Sequence, residues 1–149
     1  GRNELTNRAI YNLHLKTGLP VIVIPDMVEN YNLDSDEYMF LGDVGPAEFL
    51  YLVDHSNIVV TDSFHGTVFS CIFKKEFYSF DRFNGKYTVH LNQRIYNLLK
   101  IMNIPSDRIV REENWDSTYP AVNWTEVDQN LENEKERSMS YLMHALGGS

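Results

Sequence analysis

Between Asn57 and Phe73 a β-branched run, Ile58-Val59-Val60-Thr61, meets three residues able to carry chemistry, Asp62, Ser63 and His65, and an apolar segment restarts at Gly66. Histidine can deliver or take a proton and help hold an anion. Asp62 either caps the following helix through its open N–H groups or orients His65 or a substrate hydroxyl, and Thr61 and Thr67 flank it as further caps or contacts. The pattern predicts strand, tight turn and buried helix. In an open parallel sheet such a turn lies beyond the carboxyl end of its strand, where side chains and helix N–H groups converge on one small volume. A turn histidine is more often structural, and it is the strand-end position that makes His65 the first candidate. Gly66 is explained sterically, because a side chain there would crowd the ligand or the strand.

Other chemistries lack their patterns. Ser63 and His65 are too near in sequence for a nucleophile and its base, and no Gly-x-Ser-x-Gly elbow surrounds the serine. Asp62 and His65 have no third and fourth ligand at metal spacing, so no metal is expected. Neither a Gly-x-Gly-x-x-Gly nor a Walker loop is present.

The elements that must position the turn alternate between helix and strand. Glu4 to Thr17 carries Leu5, Ala9, Ile10 and Leu13 on one face and is closed by Gly18, which predicts a surface helix. Pro20 to Pro25 is a buried-strand run. Residues 26 to 43 show neither period, with a short strand expected at Met39 to Leu41; a solvent loop and a substrate lid are equal readings of the rest. Pro46 opens a helix with Phe49, Leu50 and Val53 on its apolar face. After the central helix, Glu76 to Phe80 reads as a strand and 81 to 90 as a loop where the cations Arg82, Lys86 and His90 gather. Leu91 to Asn103 is a helix with Ile95, Leu98, Leu99 and Met102 inward and Arg94 in its first turn. A short strand is expected at Asp107 to Arg111, a surface crossing from Glu112 to Val122, and a long helix from about Asn123 to Leu146 with Val127, Leu131, Ser138 and Leu142 on one face. Tyr31, Tyr38 and Trp115, read as loop aromatics, could stack on sugar rings. The expected fold is a single Rossmann-like α/β layer sandwich over residues 1–149 with a mostly parallel sheet.

Composition agrees. The 149 residues are 43% hydrophobic and 23% charged, enough for a true core. Thirteen Lys and Arg against twenty-one Asp and Glu give a net charge of −8, which argues against a nucleic-acid partner. Any anionic substrate must be held by local donors. The lone Cys71 falls within an apolar helix and reads as a buried thiol. No stretch of about eighteen apolar residues and no signal-peptide pattern occurs, so a cytoplasmic protein without a transmembrane segment is expected.

Thr61-Asp62-Ser63-Phe64-His65-Gly66 and the helix after it resemble the polysaccharide pyruvyl transferase family, whose members carry Arg-Leu-His-Gly, Arg-Tyr-His-Gly or Ser-Phe-His-Gly after a Thr/Ser-Asp strand end. Gly45-Pro46-Ala47-Glu48-Phe49-Leu50 resembles the family's preceding helix, and Arg94-Ile95-Tyr96-Asn97-Leu98-Leu99 its later Arg-plus-Leu-Leu helix. The resemblance implies transfer of a pyruvyl group from phosphoenolpyruvate, with no other cofactor, to a hydroxyl pair of a bacterial surface glycan or its lipid- or nucleotide-linked precursor, in exopolysaccharide biosynthesis. It implies His65 as the acid or phosphate contact, with Thr61, Asp62, Ser63, Gly66, Thr67, Lys86 and Arg94 as substrate contacts. Ser63 stands where many members have arginine, so Lys86 or Arg94 must supply the cation; an exposed helix-start arginine is the alternative reading of Arg94. The family's enzymes resemble two domains facing across a GT-B-like cleft, and this chain matches the C-terminal half. A partner N-terminal domain is therefore expected, with peripheral contact to membrane-linked glycan. Two alternatives stay open: the donor-binding half of a GT-B nucleotide-sugar glycosyltransferase, and a non-catalytic glycan- or anion-binding module.

Overall fold

A computed structural model describes residues 4–25, 38–81, 89–111 and 121–147. The order is α1 (Glu4–Thr17), β1 (Val21–Val23), β2 (Tyr38–Phe40), α2 (Pro46–His55), β3 (Ile58–Thr61), α3 (Phe64–Ile72), β4 (Glu76–Phe80), α4 (Val89–Met102), a 3-10 turn (Ser106–Arg108), β5 (Ile109–Val110) and α5 (Trp124–Ala145). Arg82, Lys86, Tyr31, Trp115, the side chain of His90 and the expected loop from 26 to 37 lie outside the described residues.

The fold is α/β, and among the described residues every strand pair is parallel and the strands form two sheets, β1-β2 and β3-β4-β5, where one was expected. The three-stranded sheet is covered on both faces, as a parallel sheet requires. The two-residue alternation of a strand decides which side chain goes where. Val59, Phe77 and Ile109 face one layer, packing with Cys71 of α3, with Ile95, Leu99 and Met102 of α4, and with Val127 of α5. Ile58, Val60, Tyr78, Phe80 and Val110 face the other, where α1 supplies Leu5, Ala9 and Leu13. Each fully buried large aliphatic side chain here contributes about 2 kcal/mol. Burial pushes the Cys71 thiol up to about 12, the mark of an inert packing residue. Tyr38, expected in a loop, lies in β2 with its ring edge-on to His14.

Two boundaries and the burial of one helix face differ from the sequence expectation in ways that matter below. Helix α3 begins at Phe64 rather than Gly66, because Ser63 in extended backbone (φ −92, ψ 133) caps it. Helix α4 begins at Val89, which moves Arg94 from the first turn to the second. On the expected apolar face of α5 only Val127 is buried, while Leu131 and Leu142 are 39% and 51% exposed. The reason is that α5 runs on past the end of α4: its polar ties, Asn130 Nδ2 to the Met102 carbonyl (3.2 Å) and Asp128 to Lys74 (2.6 Å), lie in its first two turns. Val122, expected in a surface crossing, is buried against this same core. Among the described residues no helix is long and apolar enough to cross a membrane.

Helices α2 and α3 lie side by side in the same direction. Phe49 in the first turn of α2 meets Phe69 in the second turn of α3 (6.2 Å between ring centroids), and Asp54 near the end of α2 meets Lys75 just past α3 (3.8 Å). Their N-termini therefore open at one end of the molecule. At the opposite end of the sheet Arg108, with no exposed surface, pairs with Glu76 at the start of β4 and donates to the Phe77 carbonyl (3.3 Å). That pair sets the entry of β5 against β4.

Two predictions follow from these packings. A Cβ added at Gly66 would stand 2.4 Å from Thr61 Oγ1, 3.1 Å from its Cβ and 3.2 Å from its Cγ2. Threonine is stiff at χ1 and cannot swing clear, so Gly66→Ala should cost about 2 kcal/mol in urea unfolding despite alanine's better helix propensity, and Thr61→Gly should recover part of that loss in the double variant. Glu76→Ala removes the carboxylate from a buried guanidinium and should cost about 3 kcal/mol by the same measurement, with Arg108→Met added to it restoring stability.

Candidate functional site

The β3-α3 junction is built without spare residues. Thr61 Oγ1 accepts the Ser63 N–H (3.0 Å), Ser63 Oγ accepts the Gly66 N–H (3.4 Å), and the Ser63 carbonyl accepts the Thr67 N–H (3.0 Å). Serine thus performs the capping role expected of Asp62, while its own hydroxyl hydrogen remains able to donate outward. Asp62 lies half-buried at the strand end. The Phe64 and His65 amides, the first two of the helix, take no partner among the described residues, so they present N–H groups and the positive end of the helix dipole to the space beyond the sheet. Thr67 is fully buried, its hydroxyl bonded to the Ser63 carbonyl (3.1 Å) and to Ser79 of β4 (2.8 Å). Gly66 keeps that turn tight against Thr61, so its steric role concerns the strand.

Phe64 joins the junction to α4. Its side chain packs against the core, its ring stands edge-on to the exposed His65 imidazole (5.9 Å, 72°), and the Arg94 guanidinium lies over it at 4.1 Å from the centroid. Arg94 is exposed and held by this cation–π contact beside the helix N-terminus. Arg94, named as a cation from the sequence, thus lies over the ring of the residue that follows Ser63, from a second-turn position of α4. Lys86 lies outside the described residues.

The register of the sheet adds residues that the sequence reading missed. Thr61 pairs with Ser79 and Phe80 with Val110, so Asp81 and Arg111 follow in a row off the ends of β4 and β5, next to the bend at Asp62 that ends β3. Tyr96 of α4 donates its hydroxyl to both Asp81 oxygens (2.9 Å each), and Arg111 lies over the Tyr96 ring at 4.9 Å. Burial first, then the hydrogen bond to and charge of Asp81, push the Tyr96 phenol above its ordinary value, with Arg111 opposing. The phenol therefore stays protonated and donating at neutral pH. Residues two apart on a helix face different ways, so Arg94 stands on the α3 flank of α4 and Tyr96 on the β5 flank.

Among the described residues no three His, Cys, Asp or Glu side chains converge as a metal site would require. A separate open groove of about 620 Å³ runs between the end of β2 and α2, lined in part by Phe40, Asp43, Glu48 and Tyr51; no site residue expected from the sequence lines it.

Comparison with known proteins covers the junction but not all of its neighbours. The chain matches no curated protein and no solved structure. The family model described as polysaccharide pyruvyl transferase matches residues 2–84, which takes in α1 to β4, the whole β3-α3 junction and Asp81, and stops before α4. Arg94 and Tyr96 lie beyond that match. With more than half of its length in that match, the chain belongs to the polysaccharide pyruvyl transferase family.

Proposed function

We propose that the protein transfers a pyruvyl group from phosphoenolpyruvate to a hydroxyl pair of a bacterial surface glycan or its lipid- or nucleotide-linked precursor, and that the β3-α3 junction holds the donor. The observation that carries this reading is the Arg94 guanidinium held over Phe64 beside His65, at a helix N-terminus whose first two amides face outward. Phosphate and carboxylate are both anions, and amides, guanidinium and imidazole are the groups that bind them without help from the chain's net charge of −8. Arg94 compensates for serine at position 63. His65, exposed on the first turn, delivers the proton that turns the enol carbon into a methyl group and leaves an oxocarbenium-like centre for hydroxyl attack. Asp62, Ser63 and Thr61 order the turn, and Lys86 is assigned to the donor's anionic groups with Arg94.

In this reading phosphoenolpyruvate is a substrate and no cofactor is needed. The chain acts as the C-terminal half of a GT-B-like pair, with an N-terminal domain closing the cleft and excluding water. The reaction runs in the cytoplasm with peripheral contact to membrane-linked acceptor. The second reading, a nucleotide-sugar glycosyltransferase half, draws on the same helix N-terminus, which suits a diphosphate equally well.

Ligand linkage separates the two. Phosphoenolpyruvate at saturating concentration should raise the thermal midpoint of the protein while UDP-, GDP- and CMP-sugars do not, and His65→Ala should lower transfer in the full-length protein by about a hundredfold. Stabilisation by a nucleotide sugar alone would favour the glycosyltransferase reading. Unchanged turnover in His65→Ala would remove the histidine from the chemistry.

A further inference from the structure

We propose that Asp81 is the group that binds and deprotonates the acceptor hydroxyl, and that Tyr96 is its positioning residue. The inference rests on the pyruvyl-transfer reading of the β3-α3 junction and extends it one strand across the sheet.

Asp81 follows β4 as Ser63 follows β3, two residues beyond the Thr61–Ser79 pair. Ser79 bonds Thr67 in the first turn of α3 (2.8 Å), and side chains two apart on a strand share a face, so Asp81 leaves β4 on the side that carries α3. A carboxylate there cannot hold the donor, whose phosphate and carboxylate it repels. What a carboxylate does bind is a hydroxyl group, as acceptor of its hydrogen bond. The acceptor of a ketal-forming reaction presents two such hydroxyls, and the first must lose its proton as its oxygen attacks.

The surroundings of Asp81 hold it for that task. Tyr96 donates to both of its oxygens from one phenol, and the Tyr96 ring is covered by Arg111. Each carboxylate oxygen has two lone-pair directions, so one remains on each for a substrate hydroxyl. The side chain is half-exposed at the sheet edge. Tyr96 and Arg94 are two residues apart on α4 and reach the row from its two flanks.

The proton balance closes on these groups. His65 gives a proton to the terminal carbon of phosphoenolpyruvate; the acceptor oxygen forms its bond to the central carbon and its proton passes to Asp81. The central carbon's bond to the phosphate oxygen then breaks, and the second hydroxyl closes the ketal. Its proton leaves with the phosphate, and the proton on Asp81 replaces the one His65 gave.

Asp81→Asn and Tyr96→Phe in the full-length protein test this with two readouts: affinity for phosphoenolpyruvate by calorimetry, and phosphate release from it in the presence of methyl galactoside, mannoside and glucoside, each offering a hydroxyl pair. Asp81→Asn removes a like charge from beside the donor and should bind phosphoenolpyruvate about threefold to tenfold more tightly while releasing phosphate at least a hundredfold more slowly. Tyr96→Phe keeps the charge, so donor affinity should stay within twofold while phosphate release falls about tenfold. A purely structural aspartate would show weaker donor binding in Asp81→Asn, and that result, unchanged affinity, or wild-type phosphate release in that variant would overturn the proposal. If no sugar of the panel is turned over, the affinity arm decides alone. Failure of the wild-type protein to bind phosphoenolpyruvate would overturn the donor reading and this inference with it, an outcome distinct from either result with the variants.

Discussion

The close approach of Gly66 to Thr61 is the constraint on which the site depends. A helix can follow a strand after only two residues if its first turn lies against the strand end, and here that contact leaves no room for a Cβ. Everything placed by the junction follows from this shortness. Ser63 has to be the cap, since no other residue separates Asp62 from the helix. Phe64 is driven toward the core by the helix that starts with it, and His65 is turned out to solvent one step later. The Thr67–Ser79 hydrogen bond, buried between α3 and β4, then ties the helix to the neighbouring strand. A longer turn would free each of these residues separately.

The sheet supplies the second half of the arrangement through register. Parallel strands put the residues that follow them in a common row, and here that row sets the Asp81 carboxylate beside the Arg111 guanidinium, next to the turn that carries Ser63. Helix α4 overlies that row, with Ile95, Leu99 and Met102 fixed in the core and the residues on either side of Ile95 turned to opposite flanks. Burial of the middle stripe is thus what aims Arg94 one way and Tyr96 the other. The buried Glu76–Arg108 pair at the far end of β4 and β5 fixes where β5 begins, and therefore where Arg111 emerges.

Much of this was legible in the sequence, and the rest fails for identifiable reasons. The β-branched run before Asp62 marked β3, the periodic apolar residues marked α1, α2 and α4, and the family resemblance was carried by the residues of the junction itself. The hydrophobic pattern puts the start of α3 two residues late, at Gly66, because His65 is polar; at a helix's first turn that objection does not hold, since N-terminal positions face solvent. The partition of the strands into two sheets leaves no mark on hydrophobic pattern. Asp81, Tyr96 and Arg111 lie far apart in sequence and share no motif, so only pairing register unites them. A signal existed nonetheless: the rule that ligands gather beyond strand ends, applied to β4 and β5 as it was to β3, points to Asp81 and Arg111. For α5, apolar periodicity correctly gave the helix but could not show that the core ends at Met102, leaving most of its face exposed.

Charge poses the remaining question, because the proposed anionic donor would have to approach a chain of net charge −8. Screening at physiological salt reaches about 8 Å, so carboxylates scattered over α5 and the other exposed helices act on the site weakly. What the proposed donor would meet is the local set, two outward amides, the helix dipole, His65, Arg94 and, one strand beyond Asp81, Arg111. Desolvation in a closed cleft would strengthen those nearby groups and further reduce the influence of distant ones. Among the described residues that neighbourhood also holds two carboxylates, Asp62 beside the Ser63 cap and Asp81, and Asp81 bonds a phenol. A site meant only to capture anions would gain nothing from such a group, whereas one that must also seat a hydroxyl beside the anion requires an acceptor close by.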